Sequence, residues 1–275
     1  MATLSMDGIA VHYRESGSGD PVVLLHGGGS SGAQWKGVCG LLADRFRTIT
    51  IDHYGHGGTA PWPGPPEARS HDAEAELVRG VIERVGEPAH LVGHSYGGGV
   101  ALRMALLCSG PLRSLTLLEP IALSILRHRG EHALARDYED FARSFIRDVA
   151  AGDVEGAWKR FLDGNGEPGT WERTPPEARA KFVAMTPAIA SGWYANLNHD
   201  TAPDDCGAIA LPTLLLHGER TKPHFRRITE LLAEHIPGAR LQVLPGAGHM
   251  SPLTHPQAVA EALAAHLDEA TAAEA

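Results

Sequence analysis

The segment Gly93-His94-Ser95-Tyr96-Gly97 constrains this chain more than any other, because of what flanks it. Pro88-Ala89-His90-Leu91-Val92 is a short, mostly apolar run that reads as a buried strand, and Gly98 to Leu107 reads as a helix. A serine on so sharp a strand-to-helix turn stands proud of the backbone, with the helix N-terminus behind it. Glycines at both ends of the turn let strand and helix approach closely. Gly-x-Ser-x-Gly alone also fits an ordinary glycine-rich turn. The strand before it and the helix after it select the reading of an exposed nucleophile.

Two further segments have related forms. Pro21-Val22-Val23-Leu24-Leu25 is a buried-strand run ending in His26-Gly27-Gly28-Gly29. Leu241-Gln242-Val243-Leu244 is a strand followed by Pro245-Gly246-Ala247-Gly248-His249. The three pieces, in this order, resemble the α/β-hydrolase superfamily, specifically its serine-nucleophile members with a helical cap. The resemblance runs from about Leu4 to about Leu267.

The rest of the chain alternates strand and helix. Asp7-Gly8 is a turn signal joining Leu4–Met6 to Ala10–Tyr13 as an antiparallel hairpin. Strands are expected at Thr48–Ile51, Leu115–Leu118 and Thr213–Leu216, and helices at Gln34–Leu42, Asp72–Val85, Phe225–His235 and Gln257–Leu267. This order predicts a mostly parallel α/β-hydrolase sheet with helices on both faces. Right-handed crossovers put the C-terminal strand ends on one edge, where Ser95, Glu119 and the loops at His26 and His217 then meet. Ile121 to Gly207 holds no convincing strand but has helical segments at Tyr138–Val149, Val154–Leu162 and Pro176–Met185. It reads as an inserted helical cap over that edge, giving a core of residues 1–120 and 208–275 and a cap of 121–207. Three of the 5 Trp and four of the 6 Phe fall in this cap, which suggests an apolar pocket beneath it. Trp158, Phe161, Phe182 and Trp193 are the pocket candidates; the alternative is that they form the cap's own core. The tail from Glu269 to Ala275 is expected to fray.

At 275 residues, with 43% apolar and 21% charged residues, the chain is globular and long enough for a sizeable core. A net charge of −9 argues against nucleic acid and anionic membranes as partners and leaves a small-molecule substrate. Cys39, Cys108 and Cys206 are odd in number and far apart, which suits reduced thiols in the cytoplasm. No signal peptide or membrane span is expected, and the chain is expected to be a monomer or homodimer.

Serine is a poor nucleophile until a base takes its proton. Of 16 histidines, His249 is the best base, because it follows a strand through a Gly-rich turn near the C-terminus. That placement matches the superfamily's order of nucleophile, acid and histidine. His255 is the weaker alternative, and His94 reads as structural. Acyl transfer also needs oxyanion donors. The backbone N–H groups of Tyr96 and Gly28 are the candidates. For the acid, the resemblance implies an aspartate a few residues past His217-Gly218, but that stretch reads Glu219-Arg220-Thr221-Lys222-Pro223. Some relatives place the acid at the end of the strand after the elbow helix, and here that position is Glu119. Glu119 is therefore preferred over Glu219, Asp204 and Asp205. Asp52, His53 and His56 lie close together but lack a hydrolytic metal-site pattern, so neither metal nor cofactor is expected.

The expected activity is a cofactor-independent serine hydrolase acting on a carboxylic ester or lactone with an apolar portion. Carbon–carbon bond hydrolysis, perhydrolysis and thioester cleavage share the same triad and remain open. A lyase or isomerase, or a slow-turnover ligand receptor, represents a different class. Serine at the nucleophile position argues against the dehalogenase and epoxide-hydrolase branches, whose alkyl-enzyme step needs aspartate there.

Overall fold

A computed structural model describes residues 2–6, 8–107 and 111–273. In chain order the elements are β1 Ala2–Met6, β2 Ile9–Ser16, β3 Asp20–Leu25, α1 Lys36–Leu42, β4 Phe46–Ile51, α2 His71–Val85, β5 Ala89–His94, α3 Tyr96–Leu106 and β6 Leu112–Leu118. Next come α4 Leu123–His128, α5 His132–Ala150, α6 Val154–Asn165, α7 Thr170–Arg173, α8 Pro176–Ala184 and α9 Thr186–Asn198. The chain ends with β7 Thr213–Gly218, α10 Pro223–His235, β8 Arg240–Leu244, α11 Ser251–Thr254 and α12 Pro256–Ala272.

The strands form one sheet in the order β1-β2-β4-β3-β5-β6-β7-β8. β1 and β2 run antiparallel at one edge, and every pairing from β4 to β8 is parallel. Alternation along the central strands divides the core in two. Val22, Leu24, Val92, Leu214 and Leu216 face α1 and α12, where they meet Trp35, Val38, Leu263 and Leu267. Val23, Leu25, Leu91, Leu117 and Leu215 point the other way, onto Val78, Ile82, Val100 and Leu231. Both faces are covered, so these strands read as continuous apolar runs.

The hairpin is present with longer strands than expected, and its turn residue Asp7 lies outside the described residues, as does Cys108. Cys39 and Cys206 are buried free thiols. The first helix is split: Gln34 and Trp35 belong to a 3-10 turn, Gly32–Trp35, before α1 begins. The tail does not fray where expected. α12 continues through Ala272, with Ala270 buried and the Thr271 hydroxyl donating to Asp20 at 3.1 Å. Alanine-rich sequence favours helix, and this packing holds it against the sheet. Glu274 and Ala275 lie outside the described residues. Among the described residues no helix is long and apolar enough to cross a membrane.

Residues 121–207 hold six helices, α4 to α9, between β6 and β7. α5, α6 and α8 match the expected segments. α9 is not legible from periodicity, because it is buried on most sides and contains Pro187, Gly192 and two Asn.

Candidate active site

Ser95 sits between β5 and α3 with φ 54° and ψ −116°. Glu119, immediately after β6, has φ 43°. Among the described residues these are the two non-glycine positions with positive φ. Such backbone persists only where its surroundings over-determine it. At the serine turn, a Cβ on Gly93 would come 2.3 Å from the Gly97 carbonyl oxygen, and one on Gly97 would come 2.6 Å from that of Leu25. The two glycines are thus required by close approach, and their absence of side chains admits the tight turn.

Parallel pairing of β5 with β6 and of β6 with β7 brings the ends of these strands side by side. The loop after β8 then carries His249 to the same place. His249 Nδ1 lies 2.6 Å from Glu119 Oε2, and Nε2 lies 3.0 Å from Ser95 Oγ. An ionised carboxylate only accepts, so Nδ1 carries the hydrogen and Nε2 is free to accept from the serine hydroxyl. The Glu119 carboxylate also accepts the Gly218 N–H at 2.8 Å and the Thr221 hydroxyl at 2.5 Å. Burial works to raise the Glu119 carboxyl, but the His249 hydrogen bond and charge, with Gly218 and Thr221, hold it below its ordinary value. Thr221, near the place where the resemblance implies an aspartate, thus serves the glutamate instead.

The alternative acids lie elsewhere. Glu219 accepts the Gly246 N–H at 2.8 Å on an exposed turn. Asp205 accepts the Ala202 N–H at 2.9 Å, on the short 3-10 segment Pro203–Ala208 that also holds Asp204. His255 pairs with the Thr254 hydroxyl at 2.8 Å rather than with Ser95.

Four supporting contacts had no sequence signal. The Phe225 ring stacks on His249, with centroids 3.9 Å apart and planes 7° from parallel. Gln34 accepts the Gly27 N–H at 3.1 Å through Oε1, and its Nε2 donates to His94 Nδ1 at 3.1 Å. His94 Nε2 then donates to the His249 carbonyl at 2.8 Å. Burial, with His249 adding to it, pushes the His94 imidazole down to about 3, so it is neutral and structural in this chain of bonds.

Ser95, His249, Tyr96 and Gly28 line a cavity of about 300 Å³. A Cβ on Gly28 would sit 3.9 Å from that of Tyr96, so the two residues flank one spot. Among the described residues neither the Tyr96 nor the Gly28 backbone N–H donates to another protein group. Phe161, Phe182 and Trp193 line the cavity from the inserted helices, beside Ile189 and Leu253, and the lining holds no Lys, Arg, Asp or Glu.

Trp158 corrects the pocket expectation. It is fully buried among the inserted helices, packed on Phe145, Phe161 and Phe182, with its Nε1–H donated to the Thr186 hydroxyl at 2.9 Å. Trp158 and Phe161, three residues apart on α6, share a helix face. It is the packing of Phe145, Phe182 and Thr186 around Trp158 that closes it off while Phe161 meets the cavity. Trp158→Ala is therefore expected to cost about 3 kcal/mol or more of stability with little change in substrate preference. Phe161→Ala should shift an ester chain-length panel toward bulkier groups. Melting curves and that panel, run on both variants, check the contrast.

Asp52, His53 and His56 are already engaged. Asp52 accepts the Gly32 and Gly58 N–H groups at 2.7 and 3.0 Å and faces His12 Nδ1 at 2.7 Å. His53 faces Glu74 and a main-chain carbonyl, and His56 Nδ1 lies 2.9 Å from the Tyr54 carbonyl oxygen. The three residues thus form a hydrogen-bonded turn after β4.

Comparison with known proteins accords with this geometry. The sequence pattern of the alpha/beta hydrolase family matches residues 22–262. The chain belongs to that family. One relative is the 2-hydroxymuconate semialdehyde hydrolase of a Pseudomonas species, 30% identical over 274 residues, covering 97% of this chain and 93% of that one. Another is the pimeloyl-acyl-carrier-protein methyl ester esterase of Nitrosomonas europaea, 24% identical over 259 residues, covering 90% and 96%. The enol-lactonase of Burkholderia xenovorans has the same fold, with a TM-score of 0.80 at 19% identity over 97% of this chain and 100% of that one. This α/β hydrolase is an enzyme, and its activity is hydrolytic.

Proposed function

We propose that this α/β hydrolase is a serine hydrolase that cleaves an uncharged carboxylic ester or lactone with an apolar portion through an acyl-enzyme. The observation that carries this reading is the continuous hydrogen-bonded line from Ser95 through His249 to Glu119 at the wall of an uncharged cavity. His249 Nε2 takes the Ser95 proton as Oγ attacks the carbonyl carbon. Gly28 and Tyr96 N–H groups receive the developing oxyanion. The imidazolium, held in orientation by Glu119, returns the proton to the leaving oxygen. Water, deprotonated by the same imidazole, then attacks the acyl-serine; the imidazolium gives that proton to Ser95 Oγ as the acyl–oxygen bond breaks, and the carboxylic acid product leaves. Helices α4 to α9 act as the cap, with Phe161, Phe182 and Trp193 excluding water and gripping the apolar portion.

The relation to a hydrolase named for 2-hydroxymuconate semialdehyde favours carbon–carbon hydrolysis by the same three residues as a second reading. The cavity favours the ester, since a carboxylate-bearing substrate would find no cation in its lining. A panel of activated esters matched in length, ending in methyl or in carboxylate, tests this. The methyl-ended series should be turned over at least about tenfold faster in kcat/KM, because an unpaired charge costs more than the ~1.4 kcal/mol that a factor of ten represents. Equal rates, or a preference for the carboxylate series, would sink the uncharged-ester reading.

A further inference from the structure

Behind the Gly27–Gly29 loop lies a buried charged cluster. Arg69, Glu74 and His53 are each at most 1% exposed, and none lines the cavity. Glu74 Oε1 accepts from Arg69 Nε at 3.1 Å, from Arg69 Nη2, and from the Tyr96 hydroxyl at 3.2 Å. Glu74 Oε2 lies 3.0 Å from His53 Nδ1. On the far side of that ring, His53 Nε2 lies 3.1 Å from the carbonyl oxygen of His26, where the Gly28 loop begins. The same carbonyl accepts the Gly97 N–H at 3.1 Å, which ties the loop to the serine turn. Arg69 Nη1 reaches α9 as well, donating to the Ala188 carbonyl and the Ser191 hydroxyl at 2.9 and 2.8 Å.

A carboxylate and a carbonyl can only accept. Both are aimed at His53 ring nitrogens, so the ring spans the gap between Glu74 and the start of the Gly28 loop. Burial works against the Glu74 charge, but Arg69 and His53 hold its carboxyl far below the ordinary range. The other imidazoles nearby are neutral. Burial first, then His53 and His56, pushes His26 well down, and burial, then Arg69 and His53, takes His56 to about 4. Burial likewise takes His71 to about 4. The single carboxylate of Glu74 thus gathers the Arg69 guanidinium, the Tyr96 hydroxyl and the His53 ring.

We propose that His53 is a positioning residue for the oxyanion site: its ring, set between the Glu74 carboxylate and the His26 carbonyl, fixes where the Gly28 loop begins. The proposal rests on the reading that Gly28 and Tyr96 receive the oxyanion. Glu74 also holds the Tyr96 hydroxyl, so both halves of that site are tied to one carboxylate.

The test uses the intact enzyme with His53→Leu, which removes both ring nitrogens, and His53→Gln, which keeps an N–H donor. For His53→Leu, kcat on an activated ester should fall at least about tenfold with KM within about threefold. That is less than the 10²–10³ lost on deleting an oxyanion donor outright. Affinity for an aryl trifluoromethyl ketone, which forms an oxyanion on the serine, should fall in parallel. His53→Gln should recover part of both. A folded His53→Leu enzyme with unchanged kcat overturns the proposal. If His53→Leu does not fold, His53→Gln decides it: a parallel partial loss of kcat and of inhibitor affinity supports the proposal, and no loss of either overturns it. Fluorophosphonate labelling separates the two readings: a wild-type Ser95 that takes no label defeats the serine mechanism, while normal labelling with unchanged kcat in His53→Leu defeats only the role of His53.

Discussion

Ser95→Ala is expected to leave a folded protein with about 10⁶-fold lower turnover of its ester substrate, the scale found when a nucleophile that acts as a unit with its base is removed. The expectation follows from geometry. Ser95 Oγ is held 3.0 Å from His249 Nε2 by a positive-φ turn, and the tautomer set by Glu119 leaves that nitrogen ready to accept the proton. Alanine keeps the backbone and removes only the hydroxyl, so thermal stability should change little. His249→Ala should be inactive to a similar degree, since neither residue acts without the other. Residual turnover above a few per cent in purified Ser95→Ala would show that the nucleophile is another group.

What could be read in the sequence was local; what could not was made by distant pairs. Ser95 and His249 announce themselves through the turns that carry them, each a strand end followed by glycines. Glu119 could be named because the loop after His217 lacks an aspartate. The sequence could not show that Thr221 bonds the glutamate, since a threonine in a loop has many partners available. Gln34 and His94 are 60 residues apart and join only when the sheet forms. Phe225 reads as one apolar position of α10, with nothing to say that its ring lies flat on an imidazole. The buried Arg69–Glu74 pair reads, before folding, as a solvated loop and helix face, because charged residues are rarely fully buried. Trp158 and Phe161 fail to separate for the same reason: aromatic content marks an apolar helix, and only the packing of α8 and α9 decides which ring meets the cavity.

Glu119→Gln should lower turnover at least about 10²-fold, against the roughly 10⁴ of the corresponding aspartate-to-asparagine change in serine proteases. The amide keeps the side-chain size, and its oxygen can still accept the Gly218 N–H. It cannot offer a second acceptor to both His249 Nδ1–H and the Thr221 hydroxyl, which share Oε2 in the native protein. His249 is then free to turn or to adopt the other tautomer, with a hydrogen on the nitrogen that must take the serine proton. Glu219→Gln, Asp204→Asn and Asp205→Asn should be far milder, because those carboxylates bond backbone groups or lie away from His249. Acid stability offers an independent readout. The Glu119 carboxyl is held below its ordinary value in the folded state, so its contribution is present above the ordinary carboxylate range and is lost as pH falls through the folded value. Unfolding of Glu119→Gln should therefore lose less stability than the wild type across that acid window. A Glu119→Gln enzyme with near-native turnover would remove Glu119 from the mechanism while leaving Ser95 and His249 in place.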